Sequence, residues 1–409
     1  MFNFWKISLR DLLRNRRRSL LTLLAVVIGV SLLIFVSGFY KGIFDGSMAM
    51  SIQLQTSHLQ VRAPSYNEDQ LSMQWKDLLN DPQGLTHQIQ AIPGVQAATP
   101  VLWASGMVLS GEESVGVRID GVDPASPILA PIRQALVTGQ IPAADDRSGV
   151  LIGKNLADTL GLSVGQDVIL VINTSNQTTD QAAFTIRGLF DTGVGQYDDS
   201  TVYLPLSRAQ VFGATGDRAS AIRVMLTNQD NADAFAAAFR TPNLTVLTWR
   251  DLNTLLLSSA TASTAFLQIL NLIVLGMVAV VIANTLLMAV FERTREIGIL
   301  TSLGMKRRQV LSMFLLEAGM LGAAGTALGV AVGAGIVFYY SKVGINFSQE
   351  VIQAKASNMI TYGKLLYTSF SSSQALEIAV IALAITLIVA VYPAWFASRM
   401  EPIQALHGK

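Results

Sequence analysis

The sequence predicts an α-helical membrane protein with four transmembrane helices and a large extracytoplasmic α/β domain inserted between helices 1 and 2. Hydrophobic residues make up 51% of the chain and charged residues only 14%, against about 25% charged residues in soluble domains. Four apolar runs are long enough to span a bilayer, and the segment between the first two alternates between strand-like and helix-like patterns. The net charge of +1 creates no field that would attract nucleic acid, so we expect no nucleic-acid partner.

The four apolar runs carry the transmembrane prediction, because a helix needs about 20 apolar residues to cross the hydrocarbon core. They comprise residues 19–40, 265–291, 309–341 and 378–398. The third run contains one charged residue, Glu317, and the other three contain none.

Lysine and arginine are unevenly distributed around these runs, and in membrane proteins the cytoplasmic segments carry the excess. The cations precede the first run, separate the second from the third and follow the fourth. We therefore expect a cytoplasmic N-terminal segment (1–18), a cytoplasmic loop (292–308) and a cytoplasmic tail (399–409). The large domain (41–264) and a shorter connection (342–377) are predicted on the opposite side.

Residues 1–18 mix cations with apolar side chains such as Phe4, Ile7 and Leu12. This pattern predicts an amphipathic helix on the cytoplasmic membrane surface, which is compatible with a simple orienting role for the cations. A cleaved signal peptide is the alternative. Its apolar stretch is usually about 7–15 residues and is followed by a small-residue cleavage site, and neither property fits here.

Segment 41–264 has the mixed pattern of an α/β domain. Predicted strands are short apolar or alternating runs, and predicted helices end at glycines or begin at a capping residue such as Asn231. The predicted strands are "VGVRIDGVD", "GVLIG", "DVILVI", "AFTIRGLF", "TVYLPL", "AIRVMLT" and "LTVLTW", and the predicted helices are "KNLADTL", "LSRAQVFG" and "NADAFAAAFR".

No sequence pattern predicts catalytic or metal-binding residues. The three histidines are far apart, and the absence of cysteine excludes a thiolate metal site. The acidic stretch "DTGVGQYDDS" lacks the residue order of a calcium-binding EF-hand, so it is interpreted as a turn between strands. No G-x-x-x-x-G-K-[ST] pattern occurs, so this chain is not expected to bind ATP through a P-loop.

The loop "ERTREIGILTSLGMKRRQV" carries more than the orienting charges that a membrane loop needs. At helical spacing, Glu296, Ile299, Leu300 and Leu303 share one face, and Gly304 is the expected helix end. Gly298 and Ser302 lie on a second face, which has no bulk to hold a partner away. Apolar residues exposed to the cytoplasm are expected to contact another molecule. Docking of a partner protein and insertion into the lipid headgroups both remain open.

Two features of the third run need an explanation. Glu317 is an ionisable group within a span, which marks it as a functional candidate. Because it lies near the cytoplasmic end, ion pairing with Arg307, Arg308 or an interfacial partner is the preferred interpretation.

Three glycines of the third run are spaced four residues apart and so lie on one helix face, which predicts close packing against a neighbouring helix. Packing within the chain is preferred over a dimer interface. The glycines are Gly325, Gly329 and Gly333.

The segment "ERTREIGILTSLGMKRRQVLSMFLLEAG" resembles the signature of the FtsX-like permease family, the MacB-type membrane subunits of ABC transporters. "YPAWFASRMEPIQALHG" and "RNRRRSLLTLLAVVIGVSLLIFVSG" resemble the C-terminal end and first helix of that family. "LIGKNLADTLGLSVGQDVIL" and "FTIRGLFDTGVGQYDDSTVYLPLSRAQ" are similar to its extracytoplasmic domain. The order of spans around one large domain resembles the lipoprotein-releasing permeases most.

The resemblance implies a permease subunit of the bacterial inner membrane that transmits motion to a MacB-like periplasmic domain. Its implied partners are two copies of a separate ABC ATPase, a second permease copy or paralogue, membrane lipid and, optionally, a periplasmic carrier or adaptor. The chain itself is implied to be no enzyme and to bind no cofactor, since ATP and Mg²⁺ would be bound by the ATPase. Lipoprotein or lipid release is the implied task. Export of peptides, antibiotics or other amphiphiles, and regulation of a cell-wall hydrolase, are the alternatives.

The resemblance also assigns the cytoplasmic loop to a coupling helix that docks on the ATPase. The implied docking residues are Arg293, Arg295, Glu296, Ile297, Gly298, Ile299, Leu300, Ser302, Leu303 and Gly304.

Overall fold

The structure, a computed structural model, describes residues 16–68, 70–239, 241–346 and 365–399, together with Arg10 and Arg14. Most of the predicted N-terminal amphipathic helix, half of the connection 342–377 and nearly all of the tail 399–409 lie outside the described residues. The chain divides into two compact units. The helical unit contains the described parts of Met1–Asp45, Ser259–Ile345 and Tyr367–Lys409, and the sheet unit contains those of Gly46–Ser258 and Asn346–Leu366.

Four α-helices of the described chain are long and apolar enough to cross a membrane, namely α1, α9, α11 and α12. The α-helices are α1 (Arg16–Ser51), α2 (Pro82–Gln90), α3 (Ala130–Gln134), α4 (Lys154–Leu160), α5 (Gly195–Ser200), α6 (Leu206–Phe212), α7 (Ala232–Phe239), α8 (Trp249–Leu252), α9 (Thr254–Glu292), α10 (Thr294–Ser302), α11 (Arg307–Val343) and α12 (Ser372–Ser398).

The long helices extend beyond the apolar runs that predicted them. Helix α1 continues to Ser51 and is followed by a π-helical turn, Ile52–Thr56, whereas its run ends at residue 40. Helix α9 begins at Thr254, before the run that starts at residue 265. The flanking residues contain no proline, so helical hydrogen bonding continues where the hydrophobicity ends. Both ends of segment 41–264 are therefore helical.

The sheet unit is built on a ten-stranded mixed sheet, and one further two-stranded sheet is described. The strands are β1 (Leu59–Arg62), β2 (Val95–Ser110), β3 (Glu113–Val122), β4 (Leu136–Gly139), β5 (Gly149–Gly153), β6 (Asp167–Asn173), β7 (Thr179–Phe190), β8 (Thr201–Pro205), β9 (Ala221–Leu226), β10 (Thr245–Thr248), β11 (Ile345–Asn346) and β12 (Leu365–Leu366).

The large sheet has the order β10-β1-β9-β2-β3-β8-β5-β7-β4, and β6 pairs with both β2 and β7. The pairs β3–β8 and β5–β7 are parallel, and the other pairs between neighbouring strands are antiparallel. Apolar residues of α4 and α6 join those of the strands in one buried cluster that includes Leu156, Phe184 and Phe212. This cluster gives the sheet unit its own hydrophobic core.

All seven strands and all three helices predicted in this unit are present. The prediction missed β1, β2 and β4, and it missed the short helices α2, α3, α5 and α8. Asn231 does not cap α7 directly, because it belongs to a 3-10 turn, Gln229–Asn231. The side chain of Asn228 caps that turn by accepting a hydrogen bond of 2.9 Å from the Asp230 N–H.

Candidate functional site

The predicted coupling helix is α10, a nine-residue helix between the two long apolar helices α9 and α11. It ends at Ser302, and Gly304, in the turn that follows, has a φ of +97°. The N–H of Gly304 donates to the Thr301 carbonyl at 3.1 Å, and the N–H of Met305 donates to the Leu300 carbonyl at 3.1 Å. These two bonds form a Schellman motif, whose left-handed position favours glycine. The predicted helix end at Gly304 is confirmed.

The side chains of α10 divide between the interior of the helical unit and the surface. Ile297 and Gly298 are buried, and Ile297 joins an apolar cluster with Val310 and Phe314 of α11. On the outer side, Leu303 is 80% exposed and Ile299 is 44% exposed. Ser302 and Gly304 are exposed as well, whereas Leu300 is half-buried.

This division narrows the set of residues available for docking. Ile297 and Gly298 pack within the chain, so the small face predicted from Gly298 and Ser302 is not a continuous surface. Arg293 is also buried. The outer surface of α10, which we call the docking face, consists of Arg295, Glu296, Ile299, Ser302, Leu303 and Gly304.

A network of ion pairs joins α9, α10 and α11 to the N-terminal part of α1 and the segment before it. The Glu317 carboxylate of α11 lies 3.4 Å from the Arg18 guanidinium of α1 and 3.4 Å from that of Arg293. Arg18 also contacts Glu292 at 3.2 Å. The side chain of Glu317 is 1% exposed. The two guanidinium groups therefore compensate a carboxylate that would otherwise be costly to bury.

The structure corrects the predicted partner of Glu317. Arg307 and Arg308 are exposed, and the ion pairs that the structure shows for Glu317 are with Arg18 and Arg293. Arg307 and Arg308 are ten and nine residues before Glu317 on the same helix, which at 1.5 Å per residue separates their backbone positions from it by about 14–15 Å. The residues that do reach the carboxylate come from other elements.

A second ion pair ties α10 itself to the segment before α1. Glu296 of α10 pairs with Arg14. Arg14 and Arg18 are four residues apart, and so are Glu292 and Glu296. Two cations at this spacing therefore pair with two acids at the same spacing, although Glu292 is the last residue of α9 and Glu296 lies in α10. The sequence prediction missed this match, although the equal spacing of the cations and the acids was a visible signal.

The three glycines at four-residue spacing lie where α11 approaches α1 of the same chain. A Cβ atom at Gly325 would come within 2.8 Å of Val26, and one at Gly329 within 2.8 Å of Val30. At Gly333 it would lie 3.0 Å from Ile34. These separations are shorter than the favourable carbon–carbon distance of about 3.5–4.0 Å, so only glycine permits this approach.

The ends of α1 and α9 meet in the sheet unit. The Ser51 hydroxyl donates to the Asn253 side-chain oxygen at 2.5 Å, and the Asn253 amide donates to the Trp249 carbonyl at 2.7 Å. After the π-helical turn, buried Ser57 has φ 55° and ψ −169°, a conformation that is largely restricted to glycine. Its hydroxyl accepts a hydrogen bond of 3.0 Å from Arg223. The strained position is thus held by surrounding contacts.

The acidic stretch at residues 191–200 forms a turn followed by α5. The Asp198 carboxylate accepts hydrogen bonds from the Thr192 hydroxyl at 2.7 Å and from the Gly193 N–H at 3.1 Å. Burial raises the pKa of Asp198 to about 6. The carboxylate is therefore engaged by its own loop. Among the described residues, no group of three or more His, Cys, Asp or Glu side chains could hold a metal ion.

A cluster of arginines and aromatic rings crosses the sheet and was not predicted. Arg62 of β1 and Arg118 of β3 lie over the ring of Trp103 of β2, at 5.3 Å and 4.8 Å from its centroid. Arg118 pairs with Asp120 at 2.7 Å. Burial raises the pKa of the neighbouring Tyr66 to about 12, so this phenol stays neutral. These contacts link β1, β2 and β3 within the sheet, which is consistent with a structural role.

Comparisons with known proteins cover both units. The chain matches the model of the MacB-like periplasmic core domain over residues 19–241 and that of the FtsX-like permease C-terminal over residues 269–402. It is 26% identical to the lipoprotein-releasing system transmembrane protein LolC of Xylella fastidiosa (strain Temecula1 / ATCC 700964). That alignment covers 98% of this chain and 97% of the relative.

A second relative is the macrolide export ATP-binding/permease protein MacB of Hyphomonas neptunium (strain ATCC 15444). The identity is 27%, and the alignment covers 98% of this chain and 60% of that protein. Among solved structures, the periplasmic region of MacB from Actinobacillus actinomycetemcomitans aligns with a TM-score of 0.34 and 12% identity. That alignment covers 51% of this chain and 96% of the solved one.

Proposed function

The chain belongs to the FtsX-like permease family with a MacB-like periplasmic core domain, and from this premise we propose how it works as an ABC transporter membrane subunit. A separate ATPase docks on α10, and its ATP-driven motion is passed through the membrane helices to the sheet unit. The sheet unit, inserted between the first two spans, lies outside the membrane and acts on the cargo. Both chain termini are on the cytoplasmic side.

The observation that carries this proposal is the docking face of α10. Leu303 is 80% exposed, and Ile299 next to it is 44% exposed. Apolar side chains of this size on a loop rich in cations indicate a partner surface. Arg295 and Glu296 beside them supply charged groups that would orient the partner. On the buried side of α10, Ile297 packs against α11, so a movement of α10 on docking would also move α11.

The ion pairs support transmission from α10 to α1. Arg14 and Glu296 join the docking face to the segment before α1, and Arg18 joins Glu292 and Glu317 to α1 itself. Helix α1 has 36 residues, which corresponds to a length of about 54 Å. A shift at its cytoplasmic end is therefore transmitted along a continuous helix to the turn that precedes β1.

The proposed partners are those that an ABC transporter membrane subunit requires. Two copies of the ATPase, each bound to one permease chain, would form the complete transporter with a second copy or a paralogue of this chain. The ATPase would bind ATP and Mg²⁺, and this chain would bind no cofactor. Purification of the tagged full chain from its native membrane tests this directly. A complex with an ABC ATPase is expected, and a purified complex without any ATPase would refute the transporter mechanism.

Release of lipoproteins or lipids from the inner membrane is the proposed task. Its support is the similarity to LolC over nearly the full length of both chains. Depletion of the protein, followed by quantification of lipoproteins in the inner membrane, tests the cargo. Accumulation of lipoproteins there is expected, and unchanged lipoprotein distribution would argue against this task.

Export of an amphiphilic small molecule is the second candidate, supported by the 27% identity to MacB. In that case, depletion would leave lipoproteins in place and would increase sensitivity to macrolides or related compounds. The same depleted strain therefore distinguishes the two candidates.

A further inference from the structure

A large apolar groove opens on the helical unit between α1, α11 and α12. Its volume is about 950 Å³, at the upper end of the range of about 300–1,000 Å³ for ligand sites. Leu20 and Leu23 of α1 form one wall, and Leu387 of α12 contributes to another. Small residues of α11, including Gly319 and Ala323, form its floor.

The groove exists because α1 and α11 are not in close contact along their whole length. At Gly325 and Gly329 the side chains of α1 occupy the space beside α11. At Gly319 an added Cβ atom would meet only Leu387 of the described residues, at the ordinary contact distance of 3.4 Å. The space beside Gly319 is therefore open and has room for a long, flexible apolar chain.

The groove is polar at one end and apolar along the rest. Among its described lining residues the only charged side chain is that of Arg16, and the hydroxyl groups of Ser19 and Ser312 are near the same end of the helices. Arg308, one helical turn before Ser312, is exposed at this level. This distribution matches an amphiphile with an anionic head and an acyl tail, because a guanidinium group can donate several hydrogen bonds to a phosphate.

A second copy of the chain is a poorer match for the groove. The membrane-proximal cations Arg16, Arg17, Lys306, Arg307 and Arg308 are all exposed at this level. A second copy with the same orientation would bring its own cations to the same depth in the membrane, where like charges repel. An anionic phospholipid instead brings negative charge to this level, which these cations attract.

We propose that the groove is a binding site for one anionic phospholipid of the surrounding bilayer. An acyl chain occupies the space between Leu20, Gly319 and Leu387, and the phosphate contacts Arg16. The site depends on the helical unit lying in a membrane and is independent of ATPase docking and of the cargo.

Native mass spectrometry of the purified full chain tests the site with two lipids of identical acyl chains, phosphatidylglycerol and phosphatidylcholine. The wild-type chain is expected to bind phosphatidylglycerol about fivefold more tightly, the preference that one arginine near a membrane surface provides. Arg16→Gln should remove this preference. The double variant Gly319→Leu/Ala323→Leu fills the groove and should weaken binding of both lipids about tenfold, since several methylene groups lose their contacts.

Gly335→Leu is the matched control, because Gly335 also lies on α11 with nothing within 4 Å of an added Cβ atom, and Gly335 does not line the groove. It should bind both lipids as the wild type does. Equal wild-type affinity for the two lipids, or unchanged binding by the groove-filled variant, would overturn the proposal. Loss of a dimer in that variant with lipid binding retained would identify a second copy as the occupant instead. If the double variant does not fold, the comparison of Arg16→Gln with the wild type still decides the headgroup contact.

Discussion

At the residue scale, the buried carboxylate of Glu317 pairs with two guanidinium groups, those of Arg18 and Arg293. An acid within an apolar run is visible in the sequence, and so is its need for a cationic partner. The identity of that partner is not visible, because Arg18 and Arg293 are 299 and 24 residues away in the chain. Of the partners predicted from sequence, Arg307 and Arg308 are wrong, and the third, an unspecified interfacial partner, could not be named.

Glu317→Gln should destabilise the protein by about 3 kcal/mol, because it removes the carboxylate that pairs with the buried Arg293 and one of the two acids that pair with Arg18. Glu296→Gln is the control, since that acid pairs with Arg14 at the exposed surface and should change stability by less than about 1 kcal/mol. Thermal unfolding of the purified variants measures both. If the two variants lost similar amounts of stability, the contribution of these ion pairs would not depend on their burial.

Asp198 predicts a pH dependence of stability in the sheet unit. Burial raises its folded-state pKa from the ordinary value of 3.8 to about 6. Between these values the folded chain holds the proton more tightly than the unfolded chain, so the contribution of Asp198 to stability falls as the pH rises. Below about 4 both states are protonated, and above about 6 the full penalty of the buried charge is present.

Asp198→Asn should remove this slope. The melting temperature of the wild type should therefore fall relative to that of the variant as the pH increases from about 4 to about 7. Measuring both proteins at each pH cancels the other titrating groups. A constant difference across this range would contradict a raised pKa for Asp198.

At the scale of elements, the sequence predicted those helix ends and strands that are determined by residues close together in the chain. The helix end at Gly304 follows from one glycine, and the strands β5 to β10 follow from short apolar runs. Strand β2 was missed because "VQAATPVLWASGMVLS" mixes alanine, glycine and proline with apolar residues. Its conformation is set by pairing with β3, β6 and β9, and strand preference depends strongly on such context.

Replacing glycine by alanine at two positions of α11 tests its contact with α1. Gly329→Ala should destabilise the protein, because the new Cβ atom would lie 2.8 Å from Val30. Gly335→Ala should stabilise it by up to about 1 kcal/mol, since alanine favours the helix and meets no neighbour there. Thermal unfolding of the two variants gives the answer. Stabilisation by both substitutions would mean that the helices are not in close contact at Gly329.

At the scale of the whole molecule, the sequence predicted four apolar helices long enough to span a membrane, one large α/β domain and a short helix between the second and third long helices. These features depend on hydrophobic length, charge distribution and local motifs. The ion pairs from α10 to α1 and the lipid-sized groove depend instead on how the helices pack. Packing joins residues from both ends of the chain, and a single sequence does not reveal such contacts.

The central claim is that the exposed side of α10 binds an ATPase. A photo-crosslinking amino acid at Leu303, which is 80% exposed, tests it in native membranes, with Val211 of α6 as the matched position at 72% exposure in the sheet unit. The account predicts that position 303 crosslinks to an ABC ATPase, identified by mass spectrometry, and that position 211 does not. Crosslinks from position 303 to lipid alone, in membranes where the ATPase is present, would contradict it.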